Sequence, residues 1–118
     1  MKFEHVELQG KIMNFADLDE IMADAGFDAQ WDYERITYDY KIIDLVRDDT
    51  YYFRVPALVQ QGEIPKDNAK VQLMHPYLGK HYYPHGIEYD EVFPENIIDK
   101  CNKKLALIVE KVKAESVN

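Results

Sequence analysis

The fold prediction begins with the stretch PENIIDKCNKKLALIVEKVK, residues 94 to 113. Its apolar side chains recur every three or four residues, a spacing that places them on one face of an α-helix. The members of this stripe are Ile97, Cys101, Leu105, Ile108 and Val112. Pro94 suits the first turn of a helix, and Glu95 is favourable at the positive end of the helix dipole. The stretch therefore predicts a long C-terminal helix that must bury one face against the rest of the chain.

A strand and a shorter helix are predicted near the N-terminus. Residues 5 to 12 alternate apolar and polar side chains, a pattern that indicates a half-buried strand. Asn14 is suited to cap the helix that follows, and Leu18 and Met22 belong to its apolar stripe. Gly26 is expected to end this helix in a Schellman motif, because glycine adopts the left-handed conformation that such an ending requires.

Antiparallel strands are predicted for residues 31 to 76. Apolar and polar side chains alternate over 36–42 and again over 51–59. The phase of the alternation changes at Ile42, which predicts a β-bulge before the next turn. Pro56 predicts an edge position or a bulge, because proline has no N–H to donate to a neighbouring strand.

The predicted order is one strand, one helix, about four antiparallel strands and a final helix. Strands that run together between helices indicate an α+β fold, here β-α-β(4)-α. A curved antiparallel sheet that grips the long C-terminal helix is the simplest way to bury its stripe. The chain has 118 residues and contains no linker-like stretch, so residues 1 to 118 are expected to form a single domain.

The composition restricts the classes of partner. The net charge of −8 disfavours binding to nucleic acid phosphates and to anionic membrane surfaces. No apolar run is long enough to span a bilayer, the N-terminus does not resemble a signal peptide, and the single cysteine cannot form an internal disulfide. We therefore expect a cytoplasmic protein with no nucleic acid partner, no membrane partner and no cofactor.

The segment HPYLGKHYYPHGIEYDE, residues 75 to 91, is the first candidate site. Its candidate ligand-binding residues are His81, Tyr82, Tyr83 and His85. A weaker hypothesis is a metal site formed by His81, His85 and Glu88, because imidazole and carboxylate groups bind zinc. Pro84 prevents the two histidines from sharing one continuous helical face. The alternative is an ordered loop, restrained by prolines and glycines, whose rings pack and form hydrogen bonds within the fold.

The second candidate site is the sequence WDYER, residues 31 to 35. If this stretch is a strand, Trp31, Tyr33 and Arg35 share one face and are candidates to line a pocket or an interface. The alternative is a sheet edge that packs beneath the histidine- and tyrosine-rich segment, with Arg35 neutralising a nearby acid.

Several stretches resemble the YugN-like family, small proteins of Bacillus and its relatives. The stretches that carry the resemblance are LQGKI at 8–12, QWDYER at 30–35, TYD at 37–39, TYYFRV at 50–55, LMHPYLGKHYYPHGIEY at 73–89, FPE at 93–95 and CN at 101–102. The resemblance implies a fold like that of the TATA-binding-protein-like class, with the final helix gripped by the sheet. The family has no established activity, so the resemblance implies no reaction.

Three functions remain open from the sequence. The first is a non-enzymatic domain that binds a small molecule or a protein, suggested by the nine tyrosines and by the lack of a catalytic motif. The second is a metal-dependent enzyme that uses the segment from His75 to His85. The third is a structural or regulatory protein without a pocket that associates with itself, for example as a homodimer.

Overall fold

Seven antiparallel strands and two helices make up the part of the chain that the structure, a computed structural model, describes: residues 1–84 and 86–118. In chain order the elements are β1 (Ile12–Asn14), α1 (Phe15–Asp24), β2 (Asp28–Trp31), β3 (Arg35–Asp44), β4 (Asp49–Gln61), β5 (Lys70–Leu73), β6 (Tyr77–Tyr82), β7 (Gly86–Glu88) and α2 (Glu95–Glu115). The predicted α+β class is confirmed. Six strands, and not four, lie between the two helices.

The sheet branches at β4. Its main path runs β1-β5-β4-β3-β2, and β6 pairs with β4 beside β5, with β7 next to β6. Along one side, β4 therefore has two successive neighbours: β6 pairs with 50–54, and β5 pairs with 57–61.

Pro56 lies where β4 changes its neighbour. Its carbonyl oxygen accepts a hydrogen bond of 2.9 Å from the backbone N–H of Met74, so its ring nitrogen faces the junction between β5 and β6. No ladder hydrogen bond is required there, and proline is tolerated inside a central strand. The predicted edge position is therefore wrong, and the register shift in β4 lies at Val59–Gln61 instead.

The core lies between one face of the sheet, here called the inner face, and the two helices. All five side chains of the α2 stripe are buried, from Ile97 to Val112. Alternate residues of β3 and β4 meet them, and Tyr38, Tyr51 and Phe53 are almost completely buried. The predicted antiparallel sheet packed on a C-terminal helix is thus confirmed. Among the described residues, neither helix combines the length and the apolarity that crossing a bilayer requires.

Helix α1 ends as the sequence predicts. Gly26 has a φ of +89°, and the N–H of Phe27 donates to the carbonyl of Met22 over 3.0 Å. This is the 6→1 hydrogen bond of a Schellman motif. Leu18 and Met22 are fully buried, which confirms the predicted stripe.

The predicted strand at residues 5 to 12 is wrong. Residues 4 to 10 form turns, and β1 begins only at Ile12. The N–H of Lys11 bonds to the carbonyl of Leu8, and Gly10 has a φ of +82°, so the chain reverses where the alternation suggested an extended path. Leu8 is nevertheless fully buried, which explains why the pattern looked like a strand.

The predicted bulge at Ile42 is also wrong. Strands β3 and β4 pair without a register shift from Arg35–Leu58 to Asp44–Asp49. Ile43 points away from the core and is about half exposed, so two adjacent isoleucines do not mark an insertion.

Candidate functional site

The outer face of the sheet, opposite the core, carries a row of polar and aromatic side chains. Asp39 of β3 pairs with Arg54 of β4, and Arg54 pairs with Tyr77 of β6. Because directly paired residues of antiparallel strands point to the same face, these three side chains form one row across three strands. The register of three strands, and not the sequence of any one of them, brings the groups together.

This row lies in a cleft of about 410 Å³, here called the polar cleft. Its lining residues are Gln30, Trp31, Asp32, Arg35, Thr37, Asp39, Arg54 and Tyr77. A cleft of this volume is within the range that holds small molecules. It carries both carboxylates and guanidinium groups, so it offers hydrogen-bond acceptors and donors to the same ligand.

Arg54 and Asp39 form the floor of the polar cleft. Nε of Arg54 lies 3.1 Å from Oδ1 of Asp39, and the side chains are 22% and 9% exposed. Nη1 of Arg54 donates to the hydroxyl of Tyr89 over 3.0 Å, and the guanidinium carbon lies 5.4 Å from the ring centroid of Tyr52. Three neighbours therefore hold the guanidinium in place.

Asp39 retains unused hydrogen-bonding capacity. Its Oδ1 and the Nε of Arg54 are buried, but neither atom meets hydrogen-bond geometry with a partner among residues 1–84 and 86–118. Burial raises the pKa of Asp39; Arg54 opposes this effect, and nearby Asp28 adds to it. The net increase means that desolvation outweighs the attraction of Arg54. The cleft floor thus presents a buried carboxylate that has a charged neighbour but no aligned donor.

The segment from Trp31 to Arg35 is a hairpin turn, and the predicted single strand is wrong. Oδ1 of Asp32 accepts hydrogen bonds of 2.9 Å from the backbone N–H groups of Glu34 and Arg35, which closes the turn between β2 and β3. Trp31 and Arg35 line the polar cleft from the two sides of this turn. Tyr33 is 93% exposed at its tip and is not part of the lining.

The candidates in the histidine- and tyrosine-rich segment are distributed over different surfaces. His81 is on the outer face, with its ring edge-on to that of Tyr52 at 6.0 Å. Tyr82, the next residue of β6, points to the opposite face, where its hydroxyl donates to Glu91. Tyr83 is 89% exposed. His85 lies outside the described residues.

The structure does not bring His81 and Glu88 together. His81 pairs with Ile87, and Lys80 pairs with Glu88, so the imidazole and the carboxylate extend from opposite faces of the β6–β7 hairpin. His75 lies before the start of β6, whereas His81 lies near its end. In the described part of the chain, no three histidine, cysteine, aspartate or glutamate side chains are close enough to hold one metal ion.

Cys101 is buried in the α2 stripe and forms no disulfide. Burial raises the pKa of its thiol to about 12. The thiol therefore remains protonated near neutral pH and behaves as a small apolar side chain.

Sequence reasoning did not identify Asp39 and Arg54 as site residues. Both residues point outward from strands in which apolar and polar side chains alternate, and charged side chains are common at such outward positions. The available signal was a charged residue at the centre of each of two long strands, but only their register shows that the two positions are directly opposed.

The profile of the YugN-like family matches residues 5–103 of the chain. This chain belongs to the YugN-like family. A Bacillus subtilis (strain 168) relative, the uncharacterised protein YlbA, is 40% identical over 104 residues, which are 85% of each chain. The crystal structure of the uncharacterised conserved protein YugN from Geobacillus kaustophilus HTA426 superposes with a TM-score of 0.83 at 36% identity, covering 97% of this chain and 96% of that one.

The comparisons confirm the family that the sequence motifs indicated. They also support the observed arrangement of sheet and helices over nearly the whole chain. Both relatives are described as uncharacterised, so membership of the family assigns no reaction to the polar cleft.

Proposed function

We propose that this protein is a non-enzymatic cytoplasmic domain that binds a small polar molecule in the polar cleft. The observation that supports the proposal is the Asp39–Arg54 pair, a buried carboxylate and a fixed guanidinium on the floor of a concave surface. Ionisable groups in a cleft whose pKa is shifted by burial and by a charged partner are found more often at functional sites. A preorganised charge pair also reduces the ordering cost of binding.

The ligand is expected to carry both a donor and an acceptor. The exposed part of the Asp39 carboxylate, 9% of the side chain, can accept a hydrogen bond from an ammonium, amide or hydroxyl group. Arg35 can donate to a carbonyl or carboxylate group.

A variant that fills the polar cleft tests the proposal. Thr37 points into the cleft from β3, so Thr37→Trp places an indole in the space of the ligand. Lys41→Trp is the matched control, because Lys41 is an exposed residue on the same face of the same strand and lies outside the cleft lining. Thermal unfolding of all three proteins is followed against a library of amino acids, nucleosides, sugars and other polar metabolites.

A metabolite present at 100 times its Kd should raise the Tm of the wild type by about 10 °C, since binding then stabilises the fold by about 2.7 kcal/mol. Lys41→Trp should keep this shift and Thr37→Trp should lose it. A stabilising metabolite that shifts Thr37→Trp as strongly as the wild type binds elsewhere, and the proposal then fails. It also fails if no compound in the library shifts the wild type.

Self-association is a second candidate function, supported by an apolar patch at one end of the molecule. Leu45 and Val46 at the tip of the β3–β4 hairpin are 87% and 96% exposed, and Tyr83 and Val92 are similarly exposed. A hydrogen bond of 3.4 Å from Arg47 to Asn96 places the hairpin beside the start of α2. Large exposed apolar groups that cluster together are characteristic of interfaces.

Sedimentation of the wild type and of a Leu45→Ser, Val46→Lys double variant tests this candidate. The candidate is supported if the wild type is a homodimer and the variant is a monomer. It is contradicted if the wild type sediments as a monomer at 0.1 mM, which is about 100 times a micromolar Kd.

We also propose that the fold belongs to the TATA-binding-protein-like, helix-grip class. Burial of the whole α2 stripe against an antiparallel sheet supports this assignment. The net charge of −8 argues against the nucleic acid binding found in part of that class, and against a membrane partner. Superposition of an experimental structure on members of the class tests the assignment.

A further inference from the structure

A second cleft lies beside the polar cleft on the outer face of the sheet. Its volume is about 270 Å³, close to the lower limit for small-molecule sites. Its lining residues are Lys2, Gln9, Arg35, Pro56, Leu58, Met74, His75 and Tyr77. We call it the apolar cleft; it shares Arg35 and Tyr77 with the polar cleft, and its other residues are its own.

The floor of the apolar cleft is hydrocarbon. Pro56 and Leu58 point outward from β4 at successive outward positions, and Met74 follows the end of β5. The three side chains meet at the junction where β5 ends and β6 begins. Leu58 and Met74 are only partly buried there, so their apolar surface is available to a ligand.

The rim of the apolar cleft is basic. Lys2, Arg35 and His75 line it and no carboxylate does, although the chain as a whole carries 22 acidic and 14 basic residues. Across residues 1–84 and 86–118, neither Lys2 nor Arg35 has a carboxylate within ion-pair distance. Nδ1 of His75 is buried and has no hydrogen-bond partner in the same residues.

A basic rim around an apolar floor is complementary to an amphipathic anion. We infer that the apolar cleft binds a small carboxylate with a hydrocarbon chain. The carboxylate lies between Lys2 and Arg35, and the chain covers Pro56, Leu58 and Met74. The site shares Arg35 and Tyr77 with the polar cleft, but Lys2 and the apolar floor formed by Pro56, Leu58 and Met74 belong to it alone.

The test uses octanoate as the probe, with hexanoate, octan-1-ol and acetate as comparisons. Binding is measured by isothermal titration calorimetry at low ionic strength, because salt screens the contribution of the exposed cations. Backbone amide chemical shifts locate the bound probe. Octanoate should shift amides around Leu58, Met74 and His75, and each added methylene should tighten binding about fourfold while the chain still finds apolar surface.

Two variants change residues that belong to the apolar cleft alone. Lys2→Glu reverses the charge on the rim and Leu58→Gln makes the floor polar; each should weaken octanoate binding about fivefold or more. Lys66→Glu is the control, since Lys66 is exposed in the β4–β5 connection and lines neither cleft. Circular dichroism melting of each variant confirms that it is folded.

The inference is supported if octanoate binds more tightly than hexanoate, octan-1-ol and acetate, and if only the two cleft variants weaken it. It is overturned if octan-1-ol binds as tightly as octanoate, if Lys66→Glu weakens binding as much as Lys2→Glu, or if octanoate does not bind. The inference is also overturned if two copies of the chain bury the outer face of the sheet between them in solution. Lys2 and Leu58 lie outside the lining of the polar cleft, and Thr37 lies outside the lining of the apolar cleft, so the two sets of variants test the two sites separately.

Discussion

Replacing Arg54 by methionine should expose the cost of burying Asp39. Methionine retains much of the apolar stem of arginine and removes the guanidinium that lies 3.1 Å from the Asp39 carboxylate. Loss of one member of a fully buried ion pair costs about 3–5 kcal/mol. Arg54 is 22% exposed, so water screens part of the interaction, and we expect a loss of about 2–3 kcal/mol at pH 7.

The pH dependence identifies Asp39 as the source of that loss. Burial already raises the pKa of Asp39 in the wild type, and without Arg54 nothing on the cleft floor opposes the increase. A carboxyl group with a raised pKa in the folded state binds its proton more tightly than in the unfolded chain. Its charged form therefore destabilises the fold above that pKa, and the penalty disappears as the pH falls through it. The deficit of Arg54→Met relative to the wild type should shrink between pH 7.5 and pH 5, a window chosen to lie above the ordinary Asp pKa of about 3.9.

A double-mutant cycle with Asp39→Asn completes the experiment. Asparagine is neutral and nearly isosteric, and the hydrogen bond that Arg54 donates to Tyr89 does not involve Asp39. Asp39→Asn should change the stability at pH 7 by less than about 1 kcal/mol, because the raised pKa means that the wild type gains nothing from the charge of Asp39, and the double variant should be more stable than Arg54→Met alone. Urea denaturation at several pH values measures all four proteins. Additive losses, or an Arg54→Met deficit that is the same at pH 7.5 and pH 5, would refute the reasoning.

Three further predictions concern the core and the β6–β7 hairpin. The Cys101 thiol, whose pKa is raised to about 12, should resist a disulfide-exchange reagent at pH 8 in the native protein and react fully in guanidinium; rapid native labelling would contradict its burial. Ile108→Ala should cost about 2–5 kcal/mol in urea denaturation, whereas Leu107→Ala on the exposed side of α2 should cost under about 1 kcal/mol; equal losses would contradict the packing of α2. Gly79→Ala puts a methyl group 2.4 Å from the Ile87 side chain and 2.6 Å from the Tyr89 ring, so it should cost about 1–3 kcal/mol and be partly rescued by Ile87→Ala; an Ile87→Ala change that recovers none of the loss would contradict the contact with Ile87.

The helices could be predicted from the sequence because their signals are local. The stripe of α2 repeats over four turns, and Gly26 with Phe27 supplies both the backbone freedom and the apolar contact of a Schellman ending. The inner-face alternation of β3 and β4 was equally clear, since every second side chain is buried over most of both strands.

The N-terminal segment and the turn at Asp32 could not be separated from strands by periodicity. Alternation over a few residues describes any path that places every second side chain inward, and a single aspartate that accepts two backbone N–H groups is enough to reverse the chain. The candidate site was harder still. The contacts of Asp39, Arg54 and Tyr77 depend on the register of three strands, and no single strand encodes its register with its neighbours.

At Pro56 strand β4 changes its pairing partner from β6 to β5, so one side of β4 carries two separate hydrogen-bond ladders. Between the two ladders the N–H of Met74 bonds to the carbonyl of Pro56, and Pro56 has no N–H with which to form a second bond there. Mutation can change the side chains around this interruption between the ladders but cannot easily remove the interruption itself. Members of the family in which β4 changes its partner in this way should therefore keep a cleft at this position, even where the side chains that line it differ.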